Sequence, residues 1–316
     1  MGVTTARVST ALVACMVVIG VAAVPAIAAT ANSPAATYTF RKLDNAHDPT
    51  FNQLLGINNH RKIAGYYGSG AHGHPNRGYL VSPPYGQANY HPVRFPGSAQ
   101  TEATGVNDNG VTVGLFSKTN RVSLLNSFAG FYRQNGTYHR VVFPTRNNSS
   151  PSFNELLGIN NSGFAVGDFT DSLGNSHGYR LNINKHTFSR ISIGHSASVT
   201  ATGINAGGTV VGFFTNAVGN VVGFLRRPNG QVVTFAKAGA DMTQAYGINK
   251  GGLVVGAYTI GNNTFGFTWS QAGGFRTVND PNGIGSTVIA GVNNAGDLVG
   301  YYTDSHGNTN GLLAIP

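Results

Sequence analysis

The chain has one cysteine, one tryptophan and two glutamates in 316 residues. Cys15 lies inside an apolar N-terminal run, so no intrachain disulfide can form. A thiolate metal site or cysteine nucleophile in the body of the protein is excluded as well. Charged residues make up only 10%, against about a quarter in an average soluble domain. At 41% hydrophobic the sequence is still no disordered tail. Basic residues are scattered, with no run longer than Arg226-Arg227, and no nucleic-acid module is recognisable, so nucleic acid is not an expected partner. Gly-x-Ser-x-Gly, Walker and His-Glu-x-x-His motifs are all missing, and no cofactor is expected.

Glycine, by contrast, supplies 44 residues, about double the average share, without the three-residue period of collagen. With many β-branched and aromatic residues, this predicts short strands joined by tight turns. The formal charge is +9, from 20 basic and 11 acidic residues, a surface that attracts anionic polymers.

The N-terminus reads as a secretory signal: Arg7, an apolar run over 11–24, then the small-x-small site Ala26-Ile27-Ala28. A run of about 14 residues is short of the roughly 20 needed to span a bilayer. The expected organisation is a signal peptide over 1–28, a short linker over 29–36, and one domain over 37–316 of a secreted, extracellular protein. Leu12-Val13-Ala14-Cys15 offers a minor alternative, a lipobox that would acylate Cys15. Against it, the apolar run continues about nine residues past the cysteine, where a lipoprotein would turn polar.

The dominant signal is a repeat: GINNHRKIAGYY from Gly56, GVNDNGVTVGLF from Gly105, GINNSGFAVGDF from Gly158, GINAGGTVVGFF from Gly203, GINKGGLVVGAY from Gly247 and GVNNAGDLVGYY from Gly291. The steps are 49, 53, 45, 44 and 44 residues, and about 44 is the length of a four-stranded propeller blade. The fourth unit parses into strands over 200–205, 209–215, 221–226 and 231–236. The sixth unit supplies three strands, and Tyr38 to Leu43 at the other end of the chain matches the missing fourth. The expected fold is therefore all-β: a six-bladed β-propeller of four-stranded blades, closed by an N-terminal strand completing the last blade.

A Gly-Ile-Asn-x-x-Gly-x-x-Val-Gly core is followed in each unit by a second step: Gly78-Tyr79, Gly130-Phe131, Gly178-Tyr179, Gly223-Phe224, Gly266-Phe267 and Gly311-Leu312. Over nearly the whole span from Tyr38 to Pro316 this resembles the HAF-type extracellular repeat family. Only His177 stands before its glycine as the family name suggests. The resemblance implies a secreted repeat protein without an assigned common activity.

Residues common to every unit are read as scaffold: Asn58 and its five equivalents bonding backbone at a hairpin, and Tyr67, Phe116, Phe169, Phe214, Tyr258 and Tyr302 as a core between blades. Positions that differ are where a site is sought. Three residues before each repeated glycine stand Gln53, Glu102, Glu155, Thr200, Gln244 and Val288, including both glutamates, and these are expected to ring one mouth of the channel. The loops between second and third strands share that face and bring in Arg77, Arg121 and His177. Asp168 stands where other units are apolar or aromatic. His72 and His74 alternate as a weak metal-binding pair with no third ligand, so no metal site is assigned.

The ligand candidates are thus Gln53, Glu102, Glu155, Gln244, Arg77, Arg121, Asp168 and His177. They point first to a non-catalytic binding or scaffold propeller recognising cell-wall or environmental glycans or other anionic polymers. The alternative is an extracellular lyase, lactonase or hydrolase with Glu102 and Glu155 as acid and base. Neither ligand identity nor oligomeric state is readable from the residues.

Overall fold

A computed structural model describes residues 37–119, 128–145 and 153–316. The expected signal peptide and linker, and Arg121, lie outside these residues. The described residues form 24 strands, and their one helical element is a single 3-10 turn over Gln87–Asn89.

The strands fall into six groups. The first is β2 (Asn52–Ile57), β3 (Ile63–Tyr67), β4 (Arg77–Val81) and β5 (Tyr90–Val93). The second is β6 (Gln100–Val106), β7 (Thr112–Ser117), β8 (Phe128–Gln134) and β9 (Thr137–Val141). The third is β10 (Phe153–Ile159), β11 (Phe164–Thr170), β12 (Ser176–Asn182) and β13 (Thr187–Arg190). The fourth is β14 (Ser198–Ile204), β15 (Val210–Thr215), β16 (Val221–Arg226) and β17 (Val232–Phe235), within two residues of the parse above. The fifth is β18 (Met242–Ile248), β19 (Val254–Ile260), β20 (Asn263–Ser270) and β21 (Gly274–Thr277). The last holds β22 (Thr287–Val292), β23 (Leu298–Thr303) and β24 (Thr309–Ile315), and its fourth strand is β1 (Thr39–Lys42). Pairing inside each group is antiparallel, and β1 pairs with β24 from Thr39–Ile315 to Lys42–Leu312.

The apolar cores lie between groups. Leu156, Tyr179 and Leu181 of the third pack on Val113, Tyr132 and Val141 of the second. Val299 and Leu313 of the last pack in the same way on Leu54, Ile63 and Tyr79 of the first. Both faces of a strand are therefore covered: all of β6 and β7 is buried, which leaves little surface for charge.

The repeated residues have repeated jobs. The first strand of every group carries a bulge immediately before its Gly-Ile-Asn or Gly-Val-Asn glycine, as between Leu54 and Gly56 and between Ala201 and Gly203. At that point the backbones of neighbouring groups touch. A side chain on Gly158 would lie 2.7 Å from the Thr202 carbonyl oxygen, and one on Gly291 3.0 Å from that of Leu55. The Val-Gly glycine is forced as well, because a methyl group on Gly212 would collide with the Thr200 carbonyl oxygen.

Each asparagine does two things. Its Oδ1 accepts backbone N–H groups of its own turn, as from Ser162 (3.0 Å) and Phe164 (3.0 Å) onto Asn160. Its Nδ2 donates to the asparagine carbonyl of the next group: Asn58 to Asn107, Asn107 to Asn160 and Asn160 to Asn205, each at 3.0 Å. The series continues from Asn205 to Asn249 and Asn249 to Asn293, and Asn293 donates to the Asn58 carbonyl at 3.4 Å. One turn departs from the pattern. Arg61, at φ 58°, occupies the left-handed position that Gly110, Gly163, Gly208, Gly252 and Gly296 hold elsewhere. Its guanidinium clasps Asp297 of the last group, with Nε to Oδ2 at 2.8 Å.

Candidate functional site

The six positions before the bulges sit opposite fixed partners on the second strand of their groups. Gln53 faces Tyr66, whose hydroxyl donates to Gln53 Oε1 at 2.9 Å. Gln244 faces Ala257 and accepts from the Tyr246 hydroxyl at 3.0 Å. Thr200 and Val288 oppose Phe213 and Tyr301. The acids are the exceptions. Glu102 opposes Leu115 and accepts a hydrogen bond from Asn76 Nδ2. Glu155 is directly paired with Asp168, two carboxyls across one strand pair.

These side chains were expected to ring an open mouth, and the structure places them inside instead. Glu102 is 2% exposed, Glu155 3%, Asp168 3% and Gln53 4%, while Gln244 is half-buried. The reason is the alternation of the first strand: the phase that buries Leu54, Ala103 and Leu156 is followed by the bulge, and neighbouring groups close over what remains. One oxygen of each acid, Glu102 Oε2, Glu155 Oε2 and Asp168 Oδ1, is buried without a hydrogen-bond partner.

Burial raises the Glu102 carboxyl to about 7 against the lowering effect of Asn76. Burial, followed by the charge and hydrogen bond of Asp168, raises Glu155 well above the carboxylate range. Asp168 is also raised by burial, less strongly, because Glu155 and Ser176 donate to it. Two carboxyls buried face to face disfavour ionising together. Buried this deeply, the three carboxyls are shielded from solvent.

An open cavity lies elsewhere, at the same end of the first group. A cleft of about 480 Å³ is lined by His47, Tyr67, Tyr79, Tyr90, Arg77, Arg94 and Gln87, among others, with no aspartate or glutamate in its wall. His47 stacks on Tyr67 with centroids 5.8 Å apart, Tyr67 lies 6.4 Å from Tyr79, and Tyr90 meets Tyr79 edge-on at 4.9 Å. The Tyr79 and Tyr90 hydroxyls have no hydrogen-bond partner. Arg77 donates to the Ala99 carbonyl at 3.0 Å.

Internal comparison shows why this cleft is open. The backbone N–H groups of Asn45, Phe95, Phe143, Lys237 and Asp280 each bond the side chain just before a candidate position, namely Asn52, Thr101, Asn154, Thr243 and Thr287. The five residues are therefore equivalent. Phe95 stacks on Phe116 at 3.6 Å and Phe143 on Phe169 at 4.5 Å, so an aromatic ring occupies the slot in both groups, and in the third a cleft of about 390 Å³ remains beside Phe143, Phe169, His177 and Arg190. Lys237 reaches over Tyr258 at 5.9 Å. In the first group the residue is Asn45, too short to fill the slot, and it turns to bond His47. Phe116, Phe169, Tyr258 and Tyr302 are buried, as a core series should be, but Tyr67 and Phe214 are only half-buried.

Arg77 thus belongs to the cleft, whereas the other candidates do not join it. His177 occupies the matching place in the third group, opposite Phe169 as Arg77 is opposite Tyr67. Its Nε2 lies 2.8 Å from Asp171 Oδ2. His74 is committed to Asp48, with Nδ1 to Oδ2 at 2.8 Å, and His72 is an exposed loop side chain. The described residues hold no cluster of three metal-ligating side chains. Sequence reasoning missed His47, Tyr90 and Arg94. The signal was present as Asn45 standing where the second and third groups have Phe95 and Phe143, but it needs the structural alignment of the units to be seen.

No family model matches the sequence, and no curated protein is similar to it. Solved structures do match. XC5397, a gluconolactonase from Xanthomonas campestris, is 12% identical at a TM-score of 0.54, with 89% of this chain and 91% of that one covered. A candidate TolB from Agrobacterium tumefaciens gives 12% and 0.55, over 85% and 91%. TolB from Acinetobacter baumannii gives 16% and 0.53, over 73% of this chain, and this chain spans only 54% of its length. At such identities the likeness concerns fold alone: the chain is an all-β protein whose sheets resemble those of β-propellers.

Proposed function

We propose that the six groups close into a six-bladed β-propeller of the HAF-type repeat family, with β1 completing the last blade. We propose further that it is a secreted, non-catalytic binding protein whose ligand is a saccharide. Closure is supported by the Asn293–Asn58 hydrogen bond, by the contact of Gly291 with Leu55, and by the parallel bridge from Phe51 to Thr309. That bridge repeats the one between Arg77 and Thr101. Among the described residues no helix is long and apolar enough to cross a membrane.

The observation that carries the functional reading is the contrast between sealed acids and an open aromatic cleft. A glycosidase-type or lyase mechanism needs carboxyls that touch substrate, and Glu102, Glu155 and Asp168 do not reach the surface. The cleft instead offers aromatic faces for sugar C–H groups and polar tips for hydroxyls, within the size range of small-ligand sites. A glycan array and retention on cell walls at two salt concentrations test this reading. Binding that Tyr90→Ala abolishes supports it; no retention on either refutes it. Turnover of any glycan or lactone that is lost in Glu102→Gln would favour the enzymatic alternative.

A further inference from the structure

Resting on the saccharide reading, we infer that the first-group cleft is selective for acidic sugars, with the carboxylate of a uronic acid held between Arg77 and Arg94. Three observations meet there. The two guanidiniums line one cleft whose wall has no acid, and neither is ion-paired. Arg94 is exposed and its side chain makes no hydrogen bond. Arg77 spends one N–H group on Ala99, and its guanidinium is depressed by burial and then by the charge of Arg94. Two cations that weaken each other are a standing demand for an anion, and guanidinium forks fit a planar carboxylate.

The second observation is the aromatic wall of His47, Tyr67 and Tyr90, which presents flat faces where a bare anion would need none. The third is Tyr79, a residue of the cleft wall whose hydroxyl is buried and has no hydrogen-bond partner. An unpaired buried hydroxyl is costly unless something enters to bond it. A sugar ring carrying a carboxylate satisfies all three at once. The matching cleft of the third group carries one arginine, Arg190, where this one carries two, so one such ligand per chain is expected.

The test is titration calorimetry of the full chain with trigalacturonate, with a neutral trisaccharide, and with sodium acetate and phosphate. The expected result is binding of trigalacturonate that Arg94→Gln weakens about tenfold to a hundredfold, with affinity falling as salt rises. Thermal unfolding of the variant, unchanged from the parent, shows that the loss is local. Equal binding of both trisaccharides with no effect of Arg94→Gln overturns the acidic selectivity and leaves the saccharide reading standing. Binding of acetate or phosphate as tight as trigalacturonate overturns the sugar component. No binding of any saccharide, with Tyr90→Ala silent, removes both readings together.

Discussion

The two ends of the first strands of these groups are built on opposite principles. At the Gly-Ile-Asn end all six units do the same thing: a bulge, a glycine pressed on its neighbour's backbone, and an asparagine handing a hydrogen bond to the next unit. Three residues before that glycine, equivalent positions hold glutamine, glutamate, threonine and valine, and beside them lie a histidine bonded to aspartate in one unit and an arginine pair without an acid in another. The uniform end makes the assembly. The varied end is where one unit can gain a cleft, since units are joined there by no more than single parallel bridges and a few side-chain bonds such as Asn76 to Glu102.

The comparison is broken most severely by adding one carbon at the uniform end. Gly212→Ala forces a methyl group against the Thr200 carbonyl and the Phe224 ring. It should cost about 4 kcal/mol or more, and denaturant unfolding that shows less than about 1 kcal/mol would refute the packing argument. Asn160→Ala removes three hydrogen bonds, two to its own turn and one across to Asn205. A loss of about 3 kcal/mol is expected by the same measurement.

Glu102→Gln sharpens the contrast, because it should stabilise. Glu102 is raised from 4.5 to about 7 in the fold. Between those values the unfolded chain releases a proton that the folded chain keeps, so stability falls as pH rises through that window and is level on either side. The amide should recover up to about 3 kcal/mol at pH 8 and change little at pH 4. A variant whose melting temperature tracks the parent at both pH values would show that Glu102 is ionised without penalty. At the varied end, Arg94→Gln should move folding stability by less than about 0.5 kcal/mol. A larger drop in its melting temperature would make Arg94 part of the scaffold.

Much of the architecture was legible from the residues alone. Turn glycines and asparagines punctuate the strands, and their recurrence located all six units and the strand traded between the chain's ends. Arg77 was picked out for its loop and does line the cleft. The depth of Glu102 and Glu155 was not legible, because a bulge one residue away changes which side of the strand is covered and leaves no mark in the repeat. The cleft was hidden for a different reason. It arises from what Asn45 fails to fill, and a void between units is written in no single segment. Arg61, which breaks the glycine pattern of its turn, joins the first unit to the last.

The pairing of Thr39 with Ile315 also bears on how the protein is made. Strand β1 leaves the ribosome before any other and finds its partner only when β24 has followed. At about 5–20 residues per second, that interval is roughly a quarter of a minute to a minute. Until then Leu43 and its neighbours have no sheet to join, and the contacts between first and last units are among the most distant in sequence that the fold contains. Five units can assemble in order of synthesis, but the sixth is completed by residues made before any of the others, so it closes only once β24 is free to meet β1.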